Sequence, residues 1–334
     1  MKRTYDYYDA VLRKTVQKYF AKDKLPETLY QYSSSDTFKA VLNSKVIWAT
    51  HWNCLNDKKE LRYGFKLLKN SIEYIKTHAT EPLSAYVYQF LNFISVDDKI
   101  LNNFDNALIC QSDLLSKIHL FMISFTEKPD SLSQWRGYGN GYNSISMGFS
   151  TKELLTNRHP NYKENCTYLL MRVIYDEREQ FALITYYLGL ICKTINETLS
   201  TCPSGNIFKD YPEETANLLT YLIIILLCVK EKGWYEECEW RIISYPAAFN
   251  AILHKMEGQD LPIKTRKKKE KDIRYIELPV FLNSVFKCIS EVYLPQGDNL
   301  NLRMDTIKQQ WESAQANSFV EPLDIKISSI SIEY

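Results

Sequence analysis

The chain has 334 residues, enough for one large domain or two small ones, and its 45% hydrophobic and 24% charged residues are ordinary for a globular protein. The formal net charge of +1 points neither to a nucleic-acid-binding protein nor to an acidic tail. The apolar run at 222–229 is far shorter than the ~20 residues of a membrane span, and the polar first residues do not resemble a signal sequence. We therefore expect a cytoplasmic protein that makes no contact with a membrane.

The first part of the chain is predicted to place two short strands among three helices. Apolar residues recur at helical spacing in the helical segments, and Ser35 or Asp36 is a candidate cap for the second of them. The predicted helices are 5–21, 37–43 and 60–78, and the predicted strands are 28–33 and 45–50.

The remainder is predicted to contain more strands, separated by helices. The strands are expected at 119–125, 144–149, 168–175, 237–244, 274–279, 289–294 and 325–332. The helices are expected at 151–155, 177–199, 212–230, 280–286 and 299–314. The basic run Lys264–Lys271 is interpreted as a solvated loop, with a contact to nucleic acid or tRNA as the alternative.

Strands that cluster in groups, with long helices inserted between the groups, indicate an α+β fold rather than alternating β-α-β units. We expect a split, mostly antiparallel β-sheet. The predicted division is an N-terminal helix at 1–27 and a single domain at 28–334, with helical insertions at about 60–117 and 177–230.

The eight cysteines include no C-x-x-C pair, and no Cys/His cluster has the spacing of zinc ligands. The pattern predicts reduced thiols, and no bound metal is expected. A catalytic pair of Cys54 and His51 is a weaker hypothesis, because no third group is placed near it by spacing.

The most informative stretch runs from residue 233 to residue 246 and reads GWYEECEWRIISYP. If 237–244 is a strand, Glu237, Glu239 and Arg241 share one face, because side chains alternate along a strand. Trp240 and Ile242 then share the other face. The three charged residues are either gathered for a function or form an ion-pair ladder on an exposed strand, which would stabilise the fold by only about 0–1 kcal/mol.

A second stretch, residues 123–150, reads as a strand, a turn with Trp135, Arg136 and Tyr138, a loop with three glycines, and another strand. We expect the two stretches to form the two halves of one cleft. The alternative is that Trp135 and Tyr138 are aromatic residues of the core. The glycine-rich loop lacks the strand-to-helix context of a phosphate cradle, and we interpret it as a tight loop.

Several motifs occur in one order along residues 28–294 and together resemble the bacterial family called domain of unknown function 2971. They are Leu29-Tyr30-Gln31-Tyr32, Asn56-Asp57 with Glu60, Ser124-Phe125, Trp135 with Tyr138, Gly148-Phe149, Trp234 with Glu237, Glu239, Trp240 and Arg241, and Ile289–Leu294. Members of this family resemble cargo of antiphage and abortive-infection loci. The resemblance implies an intracellular toxin-like effector and the option of a partner or inhibitor encoded beside it, but it implies no settled activity.

The order of these elements is also similar to the ADP-ribosyltransferase fold, a split antiparallel sandwich that holds NAD in its cleft. That similarity implies a late-strand glutamate that stabilises the ribosyl cation formed when nicotinamide leaves. By this analogy the catalytic candidates are Glu239, Glu237 and Tyr138. The candidates for binding NAD are Tyr30, Tyr32, Trp135, Arg136, Arg241, Asn56 and Asp57. Among these, Glu239 is the strongest single candidate, because Arg241 on the same face can hold it.

The expected function is NAD cleavage, with ADP-ribose passed to water or to a macromolecular acceptor, either protein or nucleic acid. A metal-dependent nuclease or nucleotide hydrolase is the alternative, with Asp57, Glu60, Glu237 and Glu239 gathered around a divalent ion. A non-enzymatic sensor or partner-binding module with a Tyr-rich cleft is the third reading. Asn56-Asp57 is also compatible with a simple turn and helix cap.

Overall fold

The described strands form one ten-stranded sheet in a computed structural model of the chain. The structure describes residues 25–55, 58–78, 119–139, 141–156, 168–199, 202–204, 210, 220–244, 262–268, 270–278, 285–315 and 322–330. The predicted helix at 5–21, the predicted 1–27 segment up to residue 24, and the candidates Asn56 and Asp57 lie outside these ranges.

Helices and strands follow one another along the chain as the sequence largely predicts. The strands are β1 (Thr28–Ser34), β2 (Ile47–His51), β3 (Phe121–Thr126), β4 (Ser144–Ser150), β5 (Tyr168–Arg172), β6 (Glu239–Ser244), β7 (Lys264–Lys268), β8 (Lys271–Leu278), β9 (Ile289–Leu294) and β10 (Asp324–Ile327). The helices are α1 (Ser35–Ser44), α2 (Lys58–His78), α3 (Leu132–Tyr138), α4 (Thr151–Thr156), α5 (Glu177–Leu199), α6 (residues 220–226), α7 (Val285–Cys288) and α8 (Leu300–Ala314). Short 3₁₀ helices occupy Trp52–Cys54 and Lys232–Glu237.

The sheet is mostly antiparallel, and only β10 pairs in parallel, with β9, among the named strands. This arrangement confirms a mixed α and β fold built on a mostly antiparallel open sheet. The strands run in the order β10-β9-β4-β1-β3-β2-β8-β7, while β6 pairs with both β3 and β5.

The sheet divides at β3, and this division creates the cleft described below. One edge of β3 pairs with β6 along its whole length, from Phe121 to Thr126. The other edge is shared: β1 pairs with it at Thr126, whereas β2 pairs with it at Phe121 and Met122. Since β1 and β2 contact opposite ends of the same edge, they diverge, and α1 connects them across the gap.

The two faces of the sheet pack against different helices. On one face, apolar residues such as Phe125, Trp240 and Ile242 pack with Phe38 of α1 and Trp311 of α8. On the other face, a second apolar cluster joins β3, β5 and β6 to helices α2, α5 and α6. The alternation predicted for β6 is therefore confirmed, but both of its faces are buried. The interpretation of an exposed ion-pair ladder is wrong, because Glu239 and Arg241 are covered by α2 and the chain around α6.

Three predicted boundaries are wrong in ways that matter for the site. Glu237 does not belong to the strand: it ends the 3₁₀ helix, and Cys238 turns the chain with a φ of 43° before β6 begins. The helix predicted to reach Lys230 ends at residue 226, where the chain turns and Val229 bridges to Ile174. The basic run Lys264–Lys271 is not a loop, since it forms β7 and the start of β8.

Candidate functional site

A cleft with a volume of about 630 Å³ opens beside β3, in the gap between β1 and β2. Ile123, Ser124 and Phe125, the part of β3 between the two contact points, line it. One end, here the carboxylate end, is lined by Tyr138, Glu237 and Glu239. The opposite end, here the cationic end, is lined by Trp48, Arg266, Lys268 and Glu277. The split of the sheet therefore joins two chemically different regions in one cavity.

Glu239 is held at the carboxylate end by Arg241. The guanidinium donates to both carboxylate oxygens, from Nε to Oε1 and from Nη2 to Oε2, at 2.7 Å each. Arg241 is only 2% exposed and also donates to the Leu227 carbonyl. Bidentate Arg–carboxylate pairs fix geometry as well as charge. All three nitrogens of the Arg241 guanidinium are occupied, so Arg241 positions Glu239 and does not itself line the cleft.

Lys230 is the second cation of the site, and its side chain is 5% exposed. Its ammonium contacts three carboxylates, and the separations are 2.8 Å to Glu60, 2.5 Å to Glu237 and 3.3 Å to Glu239. The ring of Trp234 covers the ammonium at 5.3 Å from its centroid. Because one ammonium contacts both Glu237 and Glu239, the two carboxylates lie side by side at the edge of the cleft.

Glu60 reaches the site from α2 because this helix approaches α6 closely. A Cβ at Gly64 would lie 2.7 Å from the carbonyl oxygen of Leu226, so only glycine permits this packing. Residues four apart lie on the same helix face, which places Glu60 one turn away from Gly64 against Lys230 and Arg241. The Glu60 carboxylate accepts from both cations at 2.8 Å.

The charges in this cluster do not balance: three carboxylates, Glu60, Glu237 and Glu239, share two cations, Lys230 and Arg241. Burial alone would raise the pKa of Glu239, but the charge and hydrogen bonds of Arg241 outweigh burial and hold it well below its usual range. Burial raises the pKa of Glu237, and contact with Lys230 only partly opposes this effect. The environment therefore separates the pKa values of two adjacent carboxyl groups, as active sites with distinct acid–base roles do.

Polar groups surround the two carboxylates on the cleft side. Ser124, the exposed residue of β3, faces the cleft and hydrogen-bonds Glu239. Thr126 donates to the backbone carbonyl of Glu237 at 2.6 Å. The Tyr138 side chain is half exposed. Partial burial is the main cause that raises its pKa to about 12, and the negative charge of Glu237 is the second cause. Tyr138 is therefore a neutral hydroxyl donor beside the carboxylates at physiological pH.

At the cationic end, Arg266 of β7 stacks on two aromatic rings. Its guanidinium carbon lies 4.9 Å from the centroid of Trp48 and 5.7 Å from that of Tyr275. The two rings contact each other at 4.7 Å, and Trp48 remains 44% exposed. An exposed tryptophan beside a stacked guanidinium is a surface on which a planar ligand can bind.

One comparison with known proteins gives a match. The model of the family described as Protein of unknown function (DUF2971) matches residues 134–242. The resemblance to DUF2971 is confirmed. No curated protein and no solved structure matches the chain significantly.

The DUF2971 match contains most of the carboxylate end. Tyr138, Lys230, Glu237, Glu239 and Arg241 all lie within it. Glu60 lies outside the match, as do the residues of the cationic end.

Of the aromatic residues predicted at the site, Tyr30 and Tyr32 line the cleft with their hydroxyls already engaged. The Tyr30 hydroxyl donates to Glu291, and the Tyr32 hydroxyl donates to the Lys128 carbonyl at 3.0 Å. Trp135 is fully buried, with its ring edge-on to Tyr32 and its indole N–H donating to Asp130 at 2.8 Å. Arg136 is exposed on α3 and is absent from the cleft lining.

Sequence reasoning missed Lys230, Trp48 and Arg266. A signal for Lys230 exists, because a lone lysine directly after the apolar run 222–229 is a candidate for burial next to a counter-charge. The sequence indicates Glu60 only as a motif residue and as a ligand of the alternative metal site. The structure does bring Glu60, Glu237 and Glu239 together, but the Lys230 ammonium lies between them.

Other side chains considered from the sequence have local structural roles. Within the described ranges, no three His, Cys, Asp or Glu side chains are arranged to hold a metal ion. His51 contacts Asn53 and His119, and burial lowers its pKa to about 3. The Cys54 thiol donates to Asn53 rather than to His51. No helix in the described part of the chain is long and apolar enough to cross a membrane.

Proposed function

We propose that the cleft binds NAD and cleaves the bond between its nicotinamide and ribose, with ADP-ribose passing to water or to a macromolecule. The observation that supports this proposal is the pair Glu237 and Glu239. The two carboxyl groups lie side by side at one end of a cavity large enough for a dinucleotide, and their pKa values are shifted in opposite directions. Enzymes that cleave glycosidic bonds commonly use two carboxyl groups with different roles.

In the proposed reaction, Glu239 stabilises positive charge on the ribose. When the C1′–N1 bond breaks, the bonding electrons leave with neutral nicotinamide and the ribose gains oxocarbenium character. A carboxylate that is already ionised and fixed in place stabilises this charge without reorganisation. Glu239 meets both conditions, because Arg241 holds its pKa low and binds both of its oxygens.

Glu237 is the proposed general base. Water, or a hydroxyl of the acceptor, forms a new bond to C1′ and transfers its proton to the Glu237 carboxylate. A carboxyl group with a raised pKa is a better base than an ordinary one, and such groups typically accelerate reactions by about 10²–10⁴-fold. The overall reaction consumes NAD and water and yields ADP-ribose, nicotinamide and a proton, so it needs no further reactant.

The walls of the cleft supply the binding contacts in this proposal. Tyr138 at the carboxylate end presents an exposed ring and a neutral hydroxyl near the nicotinamide and its ribose. Tyr30 and Tyr32 contribute ring surface rather than hydroxyls, since their hydroxyls are engaged. Gln31 and Ser33, which alternate with these tyrosines on β1, also line the cleft and can hydrogen-bond the ribose or phosphates.

The test is nicotinamide release from NAD by the purified chain, followed by chromatography with and without EDTA. We expect release that persists in EDTA and falls at least about 100-fold in Glu237→Gln. Glu236→Gln is the matched control, because Glu236 is the exposed neighbour in the same 3₁₀ helix, and it should leave release unchanged. Release that is equal in all three proteins, or that requires a divalent metal, would contradict the proposal.

The proposed cellular role is that of an intracellular effector of antiphage or abortive-infection type. It is supported only by the family resemblance and by the proposed depletion of NAD. Expression of the wild-type chain in a bacterial host should lower NAD and arrest growth, whereas Glu237→Gln at the same protein level should do neither. Growth arrest by both proteins without a fall in NAD would contradict this role.

A further inference from the structure

The hairpin of β7 and β8 turns a row of cations toward the cleft. Alternation along β7 places Lys264, Arg266 and Lys268 on one face. Arg266 and Lys268 line the cleft, which identifies this face as the cleft face. Cross-strand neighbours share a face, so Lys271, directly opposite Lys268, and Tyr275, directly opposite Lys264, belong to it as well.

The cleft face of this hairpin has an excess of positive charge. Lys264 contacts Glu277 at 2.7 Å, but Arg266, Lys268 and Lys271 form no ion pair with any residue of the described ranges. Lys268 and Lys271 are directly opposite each other, an arrangement of like charges that destabilises an antiparallel pair. The opposite face has no such conflict at the neighbouring position, where Lys267 pairs with Asp272.

Arg266 adds a second, independent observation. Its Nε is buried and lacks a hydrogen-bond partner among the described residues, although its guanidinium stacks on Trp48 and Tyr275. A buried donor without an acceptor destabilises the folded protein. A ligand oxygen that accepts a hydrogen bond from this donor removes the penalty, which favours binding. The exposed ring of Trp48 lies next to this donor, so an anionic group and a planar group can bind side by side.

We propose that the cleft face of the β7–β8 hairpin, formed by Arg266, Lys268 and Lys271 together with Trp48, binds single-stranded nucleic acid. A row of cations follows the phosphates of such a strand, and an aromatic side chain stacks on its unpaired bases. Bases in a duplex are stacked on one another and do not present a free face to a tryptophan. The low net charge of the whole chain does not oppose this proposal, because the charge is local.

The proposal goes beyond NAD cleavage and does not rest on it. Binding is measured by fluorescence anisotropy of a labelled single-stranded RNA of about 12 nucleotides, a length within the ~4–16 nucleotides that single-strand-binding folds cover. Trp48→Ala should weaken binding between about fivefold and 150-fold, the loss expected for one stacked base. Lys268→Glu combined with Lys271→Glu should also reduce the slope of log affinity against log salt by about 1.4, for two lost phosphate contacts.

Lys267→Glu is the matched control, since it reverses a charge on the same strand but on the opposite face. It should change RNA affinity by no more than about twofold. A surface charge outside the contact acts on RNA only through long-range attraction, which salt screens. An equal loss of RNA affinity in Lys267→Glu and in the double variant would overturn the proposal, because it would indicate non-specific electrostatic attraction. Unchanged melting temperatures of all variants show that the comparison is between folded proteins.

Three further outcomes would overturn the proposal. The first is that RNA does not bind, whereas ADP binds and its affinity depends on Lys268 and Lys271. The cleft face of the hairpin would then be a site for a free nucleotide. The second is equally tight binding of duplex RNA, and the third is equally tight binding of polyglutamate. Nicotinamide release is measured separately in the same variants, so failure of NAD cleavage and failure of nucleic-acid binding remain distinguishable.

Discussion

Lys230 donates a hydrogen bond to Glu237, yet the pKa of Glu237 remains above its ordinary value. Burial is the main reason, and the negative charges of Glu239 and Glu60, which contact the same ammonium, add to it. Two cations cannot fully compensate three carboxylates, of which Glu239 is buried and the other two are partly buried. Glu237 is the carboxylate that is left under-compensated, and a charge kept at such a cost to the fold is expected at a functional position.

Glu237→Gln should therefore leave the melting temperature unchanged or raise it. The substitution balances the cluster at two carboxylates and two cations, and it keeps a polar side chain beside Lys230. Glu60→Gln is the comparison, because Glu60 contacts both cations, and it should lower the melting temperature. Calorimetry of the three proteins at pH 8 measures both effects. A large loss of stability in Glu237→Gln would assign Glu237 a structural role instead.

The advantage of Glu237→Gln should depend on pH. A carboxyl group whose pKa is raised by folding destabilises the fold at pH values above its unfolded pKa, about 4.3, and the full effect is reached above the folded pKa. The difference in stability between variant and wild type should thus be largest at pH 8 and shrink on acidification. Chemical unfolding at several pH values tests this sign. A difference that grows on acidification would contradict the pKa shift.

Arg241→Met should lower the free energy of unfolding by about 3–5 kcal/mol, because it leaves Glu239 buried without its main partner. The same change at Arg178, an exposed residue of α5, should cost less than about 0.5 kcal/mol. Urea unfolding of both variants provides the comparison. Similar, small losses in the two would show that Lys230 alone suffices to hold the Glu239 carboxylate.

Two glycines in helices should respond in opposite directions to alanine. Gly64→Ala places a Cβ 2.7 Å from the Leu226 carbonyl oxygen and should destabilise the fold by about 1–3 kcal/mol. Gly189→Ala, in α5, meets no atom within 4 Å and should stabilise it by up to about 1 kcal/mol. Thermal unfolding distinguishes the two. Equal effects would indicate that α2 can move away from α6 without cost.

The Glu239–Arg241 pair could be predicted from the sequence, because alternation along a strand requires no knowledge of the rest of the fold. The position of Lys230 after an apolar run signals burial beside a counter-charge, but its contacts could not be predicted, since that run favours a helix that continues through it. The chain leaves the helix there because Val229 bridges to Ile174, a contact between residues far apart in the sequence. Likewise, the sequence places Arg266 in a basic run that is compatible with a solvated loop or a nucleic-acid contact, and its place in a strand depends on the pairing of β7 with β8.

The burial of Trp135 could not be predicted from the sequence. Its place in a short polar turn is compatible with a ligand contact and with burial, and the structure buries it against Tyr32 and Asp130. The pattern of residues within the turn cannot distinguish these outcomes. What decides between them is the packing of α3 on β1, which no local signal encodes.

The insertion of β6 between β3 and β5 has a consequence for synthesis of the protein. β6 carries both Glu239 and Arg241, and Arg241 contacts Glu60, which precedes it by 181 residues. A ribosome must therefore produce more than two thirds of the chain before the carboxylate end can assemble. A nascent or prematurely terminated chain that lacks β6 has neither residue, so this charge cluster forms only after β6 has been synthesised.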